Sequence, residues 1–387
     1  MTATQAHRWL DRFGAMRREL GGARGEGATR WGRDFADLGR SEPLTAWPPD
    51  AQADRMLAAA AQTRRYPPVA GRRDVLDQVA AHYSEVLGVP LTHANILLTP
   101  GALTGIMLAL MTLGRPGAEV AIPAPYYHAY PSQAELTGHL PRVIAAGPAD
   151  GWRLTTGQAG ALPAGTVLLL ANPANPATVS YGEGRLREII SALPQDAAVI
   201  ADEVYGEYLY SPGDFASLAS LSGPGGPDRP GRWLVVRSAA KTLGRPGLRI
   251  GVLIGPAALI GAAADRAAAL VGGVSVPAQL ALAGGLRASA DADHMRPYRR
   301  RAELALELAG GLGLTAQPPH GTYYLWLDGP GLGRVATAVR LATEHGVFVW
   351  PGEYFGWPTH AMVSLSAPVA DIQKGLTRIG EFVNREA

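Results

Sequence analysis

The chain has 387 residues, with 35 Lys plus Arg against 33 Asp plus Glu, a formal net charge of +2, and no cysteine. Charges this evenly mixed give no single-sign surface for a phosphate backbone, so nucleic acid is not an expected partner. Without cysteine there is no disulfide stapling and no thiolate chemistry, which fits a cytoplasmic protein, and the length predicts a large core with a smaller lobe.

In chain order, Gln5 to Leu20 holds several arginines together with Asp11 and Glu19, and no apolar run follows, so no targeting or membrane segment is expected. The turn Thr99-Pro-Gly-Ala-Leu-Thr104 precedes an apolar helical stretch, Gly105 to Leu113. Apolar runs of strand length then recur between helix-length segments: Glu119 to Pro123, Val167 to Ala171, Ala198 to Asp202, Trp233 to Ser238 and Ile250 to Gly255. Such runs read as buried parallel strands of an α/β sheet. The Gly- and Pro-rich stretch Ser222 to Gly231 is a connector by composition. After about Gly273 a second pattern begins, with a long helix through Arg299 to Gly311 and short strands at Tyr323 to Leu327 and Val347 to Trp350.

Ligands of α/β sheets sit at the carboxyl ends of the strands, and there the sequence turns polar. Asn172 and Asn175 follow one run, Asp202 closes another, Ser238 and Lys241 follow a third and Tyr127 a fourth. Lys241 is the most informative, because the chain has only two lysines, Lys241 and Lys374, among cations that are otherwise arginine. A primary amine can condense with an aldehyde and then shuttle protons; a guanidinium stays protonated. An aldehyde cofactor held by lysine points to pyridoxal phosphate, which also asks for an acid at its pyridine nitrogen and a cradle for its phosphate. Asp202 is the candidate acid, with a helix N-cap as its plainer reading. The glycine turn before Gly105 to Leu113 offers free amides to an anion, with Ser238 and Arg249 flanking Lys241.

Taken together, Tyr66-x4-Gly71, Thr99-x-Gly-Ala, Pro125-x-Tyr127-x-x-Tyr130, Asn172-Pro-x-Asn175-Pro, Asp202-x-x-Tyr205, Ser238-x-x-Lys241 and Pro246-Gly-x-Arg249-x-Gly251 resemble the class I/II aminotransferases, from about Asp37 to the C-terminus. These are fold-type I pyridoxal phosphate enzymes. The resemblance implies an α/β fold: a large cofactor-binding domain over 46–273 with a mostly parallel central sheet between helices, a smaller α/β domain over 274–387, and an N-terminal segment, 1–45, packed on the smaller domain. It implies that Lys241 forms the Schiff base and moves the substrate's proton, and that Asp202 binds the pyridine nitrogen. Asn175 and Tyr205 would bond the 3′-oxygen, Tyr127 would stack on the ring, and the amides of Ala102 and Leu103 with Ser238 and Arg249 would hold the phosphate. Tyr66 would reach the phosphate of a neighbouring subunit in a homodimer with shared sites. The other motif tyrosines, Tyr126 and Tyr130, read as core packing. No metal site is expected.

Three departures from the family pattern stand out. Asn175-Pro-Ala-Thr178 replaces Asn-Pro-Thr-Gly, and Leu103 stands where a polar residue is usual. Near the C-terminus, Ala361-Met362-Val-Ser364-Leu-Ser366 places Met362 at the position of the arginine that grips the substrate's α-carboxylate. Three explanations follow: a substrate without a free α-carboxylate; a substitute arginine, for which Arg40 is the candidate; or aldimine chemistry other than transamination. Glu353 could meet a basic group on the substrate, although a solvated loop carboxylate is its plainer reading. The resulting expectation is an aminotransferase acting on an unusual small-molecule amino substrate in specialised biosynthesis. The alternatives are a lyase, cyclase, decarboxylase or replacement enzyme on the same fold, and a non-catalytic cofactor-binding sensor, disfavoured by the mere 35 or so residues ahead of the fold.

Overall fold

The computed structural model describes residues 8–44, 64–222, 232–288 and 293–386. Helix Arg8–Trp31 leads to the short strand β1 (Ala36–Asp37). A seven-stranded sheet follows, formed by β2 (Ile96–Thr99), β3 (Glu119–Ala124), β4 (Leu140–Ala145), β5 (Val167–Ala171), β6 (Ala198–Asp202), β7 (Trp233–Ser238) and β8 (Gly251–Ile254). Its spatial order is β2-β8-β7-β6-β5-β3-β4, and the five strands from β7 to β4 are parallel.

The continuous apolar runs exist because helices cover both faces of this sheet, and successive residues of a strand point to opposite faces. Along β5, Val167 and Leu169 enter a core shared with Ile106 of helix Ala102–Leu113 and Ile260 of helix Ala257–Leu270. Leu168 and Leu170 enter the other core, with Val79 of helix Arg73–Leu87 and Leu186 of helix Glu183–Ala192. Each side chain buried this way contributes about 1.5–3 kcal/mol.

One strand departs from the expected direction. β8, the run expected as a parallel strand over Ile250 to Gly255, is antiparallel to both β7 and β2. Between β7 and β8 the chain forms only the one-turn helix Ala239–Thr242 and the 3-10 turn Pro246–Leu248. A parallel return needs a crossover long enough to span a sheet face, usually a helix, so the chain doubles back. Most of the expected connector, residues 223–231, lies outside the described residues.

The C-terminal part builds a second, antiparallel sheet from β9 (Thr315–Ala316), β10 (Tyr324–Asp328), β12 (Trp350–Pro351) and β13 (His360–Ser364), in the order β12-β13-β10-β9. Here the run expected over Val347 to Trp350 is split, because its halves find different partners. β11 (Val347–Phe348) pairs in parallel with β1, and β12 pairs with β13. The expected helix through Arg299 to Gly311 runs from Arg296 to Gly311. The N-terminal helix packs on helix Val335–His345, so closely that a Cβ on Gly27 would lie 2.5 Å from the Ala342 carbonyl oxygen. Trp31 Nε1 donates to the Thr343 carbonyl at 3.2 Å.

Candidate active site

The carboxyl ends of β2, β3, β5, β6 and β7 converge on one cavity of about 280 Å³, whose opposite wall comes from β12, β13 and the segment after β1. Asp202 is the last residue of β6 and is buried. Its Oδ2 accepts from Tyr130 Oη at 2.6 Å and its Oδ1 from the Val204 amide at 3.2 Å. Burial pushes its pKa up; the bonds from Tyr130 and Val204, then the charges of Lys241 and Arg237, pull it back. A carboxylate in this position favours a cationic or N–H partner.

Behind it the strand ends are clamped. Glu203 and Arg237, the neighbours of Asp202 and Ser238, form a buried ion pair at 2.8 Å between β6 and β7. Glu203 also accepts from Ser217 Oγ and the Leu218 amide, both at 2.7 Å. Removing one member of such a pair would leave the other charge buried, at about 3–5 kcal/mol.

Lys241 stands on the one-turn helix that follows β7. Its Nζ donates to Tyr323 Oη at 2.7 Å and to the Ser41 carbonyl at 2.8 Å. Burial lowers its pKa from 10.5 to about 8, with Glu42 and Asp202 opposing and Arg249 assisting. Tyr205 lies beside it, its hydroxyl 3.0 Å from that of Tyr324. Tyr127, its pKa pushed up to about 12 by burial, and Asn175 line the same space. Asn175 Oδ1 is buried and has no hydrogen-bond partner, an acceptor waiting for a donor.

At the other end of the cavity, helix Ala102–Leu113 begins at Gly101, whose φ is 84° and which offers no side-chain cap. The first amides of the helix are therefore open to an anion. Arg249 lies over this turn: a Cβ on Gly101 would come within 2.8 Å of its guanidinium, and one on Gly251 within 2.7 Å of the Ala102 nitrogen. Two glycines thus permit a helix N-terminus, an arginine and Ser238 to border one small space.

Of the residues singled out from sequence, Ala102, Leu103, Tyr127, Asn175, Asp202, Tyr205, Ser238, Lys241, Arg249 and Met362 all border this cavity. Arg40 does not: its side chain is exposed, and the adjacent Ser41 and Glu42 face the cavity instead. Nor does Glu353, which pairs with Arg334 at 2.8 Å and accepts the Val335 amide at 2.8 Å. It caps helix Val335–His345, whose first amides need an acceptor. Tyr66 is 99% exposed and borders no part of this cavity. Tyr126 is core as expected, but Tyr130 is more than core, since it bonds Asp202. Sequence reasoning missed Ser41, Tyr323, Tyr324 and the wall residues Trp350 and Phe355. The Tyr323-Tyr324 pair at the start of β10 was the available signal.

Among the described residues, no group of three His, Asp or Glu side chains is placed to hold a metal ion, and no helix is long and apolar enough to cross a membrane.

The family model for aminotransferase class I and II matches residues 33–379. An aspartate aminotransferase of Streptomyces avermitilis is 28% identical over 374 residues, covering 91% of this chain and 90% of its own. An arginine–pyruvate transaminase of Pseudomonas aeruginosa is 29% identical over 355 residues, covering 86% and 88%. Among solved structures, aspartate aminotransferase from Thermus thermophilus with maleate superposes with a TM-score of 0.83 at 25% identity, over 94% of this chain and 96% of that one.

Proposed function

This chain belongs to the class I and II aminotransferases, fold-type I enzymes that use pyridoxal 5′-phosphate, and on that premise we propose that it takes the amino group from a donor lacking a free α-carboxylate. When bound, the cofactor supplies an aldehyde that condenses with amines and a ring that withdraws electrons from the carbon bearing the amine. The residues present suit it. Asp202 is the partner for the pyridine nitrogen, and Tyr130 holds the carboxylate in place for that contact. Asn175, through its side-chain N–H, and Tyr205, through its hydroxyl, are the partners for the 3′-oxygen. Tyr127 covers the ring face, and the amides of Ala102 and Leu103 with Ser238 and Arg249 take the phosphate.

Lys241 is the amine that receives the aldehyde and, once released, carries the α-proton on Nζ. Its pKa of about 8 leaves a usable neutral fraction at physiological pH, which an amine at 10.5 would not. Tyr66, wholly exposed on this chain, is the residue that would enter the phosphate site of a second copy in a homodimer.

The single observation that carries the substrate assignment is Met362. It faces the cavity from β13, opposite Trp350 in register. Arg249 is the one arginine among the described residues that line the cavity, and the phosphate claims it. Glu42 adds a negative charge on the same side. A substrate carboxylate brought here would lack its partner at a cost of about 3–5 kcal/mol. The donor is therefore an amine, an amino alcohol or a carrier-bound amino ester, and a place in specialised biosynthesis rests on the same residue.

The test is a screen of the cofactor-loaded protein with amines, amino alcohols and ordinary α-amino acids, followed by the visible absorption of the cofactor. Amines or amino alcohols are expected to bring a lasting loss of the visible band, at rates about 10²-fold above those of α-amino acids. A clear preference for α-amino acids overturns the reading. Product formation with no lasting spectral change would mark a lyase, cyclase or decarboxylase instead.

A further inference from the structure

We propose that Tyr323 is a positioning residue for the reacting amine: its hydroxyl and the Ser41 carbonyl form a fixed dock of two acceptors that holds Lys241 Nζ whenever it is free of the cofactor. The proposal rests on the reading of Lys241 as the amine that receives the cofactor's aldehyde.

The dock is a closed triangle. Nζ lies 2.7 Å from Tyr323 Oη and 2.8 Å from the Ser41 carbonyl oxygen, and Oη itself donates to that carbonyl at 2.5 Å. A phenol has one hydrogen. Since Ser41 takes it, Tyr323 presents a lone pair to the lysine, and both partners of Nζ are acceptors. A neutral amine that gives its two N–H bonds to these oxygens keeps its own lone pair for the remaining tetrahedral direction. Lys241 borders the cavity, where an aldehyde or an α-proton would be met.

The tyrosine is well suited to stay neutral and still. It is fully buried, and burial, then the neighbouring hydroxyls of Tyr205, Tyr324 and Tyr208, hold its pKa well above 10. Its ring stacks on Tyr298 at 5.4 Å and meets the edges of Tyr205 at 5.4 Å and Tyr208 at 5.3 Å. The three members of the dock come from distant parts of the chain, so it exists only in the folded protein.

Acceptors favour the ammonium form, so removing one makes the proton easier to lose. The measurement uses cofactor-free protein and competitive acetylation over a pH series, read by mass spectrometry. The chain has only two lysines, so Lys374, ion-paired with Asp34 at 3.1 Å, serves as the internal reference. In Y323F the midpoint for Lys241 is expected to fall by about one pH unit, raising its acetylation at neutral pH several-fold, with Lys374 unmoved. Y298F, which removes a hydroxyl bonded to the Leu44 amide, should leave the Lys241 midpoint where it is. An unmoved Lys241 midpoint in folded Y323F overturns the dock. Should Y323F not fold, Tyr323→3-fluorotyrosine weakens the acceptor while keeping the ring, and the midpoint must again fall or the dock is overturned. Borohydride reduction of the loaded wild type, followed by peptide mapping, separates the premise from the proposal. Cofactor attached elsewhere than Lys241 defeats the premise, whereas attachment at Lys241 with an unmoved midpoint defeats the dock alone.

Discussion

The two sides of the cavity are built on opposite principles. On the seven-stranded sheet, Asp202, Ser238 and Lys241 extend from strand ends locked by the buried Glu203–Arg237 pair, and Tyr130 fixes one carboxylate oxygen. On the other side, Met362 and Trp350 of the four-stranded sheet, with Phe355 from the 3-10 turn between β12 and β13, offer mainly apolar surface. The first side fixes charges at set positions, which suits a constant cofactor. The second excludes and shapes, which suits choosing a substrate. The division is not complete, because Lys241 Nζ is held from the second side, by Tyr323 beside β10 and by the Ser41 carbonyl.

The sharpest way to break that division is at Lys241. K241A should lose about 10⁴-fold in turnover and retain no cofactor after borohydride treatment and denaturation; retention of the full visible band would remove Lys241 from the chemistry. Next comes the opposite side. M362R places a guanidinium in the cavity and should improve kcat/KM for α-amino acids by about 10²-fold while leaving the cofactor spectrum alone. A change of spectrum without a change of substrate preference would mean the two sides are not independent. The smallest effect belongs to Y130F, which strips one hydrogen bond from Asp202. Its pKa then rises further, the carboxylate is a poorer partner for a cationic ring nitrogen, and the cofactor Kd should rise by about tenfold in a fluorescence titration. Unchanged affinity would show that Val204 alone fixes the carboxylate.

The first side was largely legible from the sequence and the second was not, for physical reasons. Strands β5, β6 and β7 announce themselves because a strand buried on both faces is apolar throughout, and the first polar residue marks its carboxyl end. Lys241 stood out because arginine does almost all other cationic work. The direction of β8 was hidden, since a short apolar run has no polarity and only the length of its connection decides. A charged residue close to a site in sequence need not line it: Arg40 is exposed and Glu353 caps a helix. Tyr130 and Tyr323 were invisible as polar groups because a tyrosine at a buried position reads first as packing. Met362 was legible only as an absence, and its place on the wall required the pairing of β12 with β13.

The short parallel pairing of β1 with β11 also makes the two sides mechanically continuous. Leu38 accepts the Ser364 amide at 2.8 Å, and Gly39 accepts Trp350 Nε1 at 2.8 Å. Two residues further on, the Ser41 carbonyl receives Lys241 Nζ. Trp350 and the lysine are thus tied to one short run of backbone, so a displacement of Trp350 would be felt at the carbonyl that accepts Lys241 Nζ without any direct contact between the two.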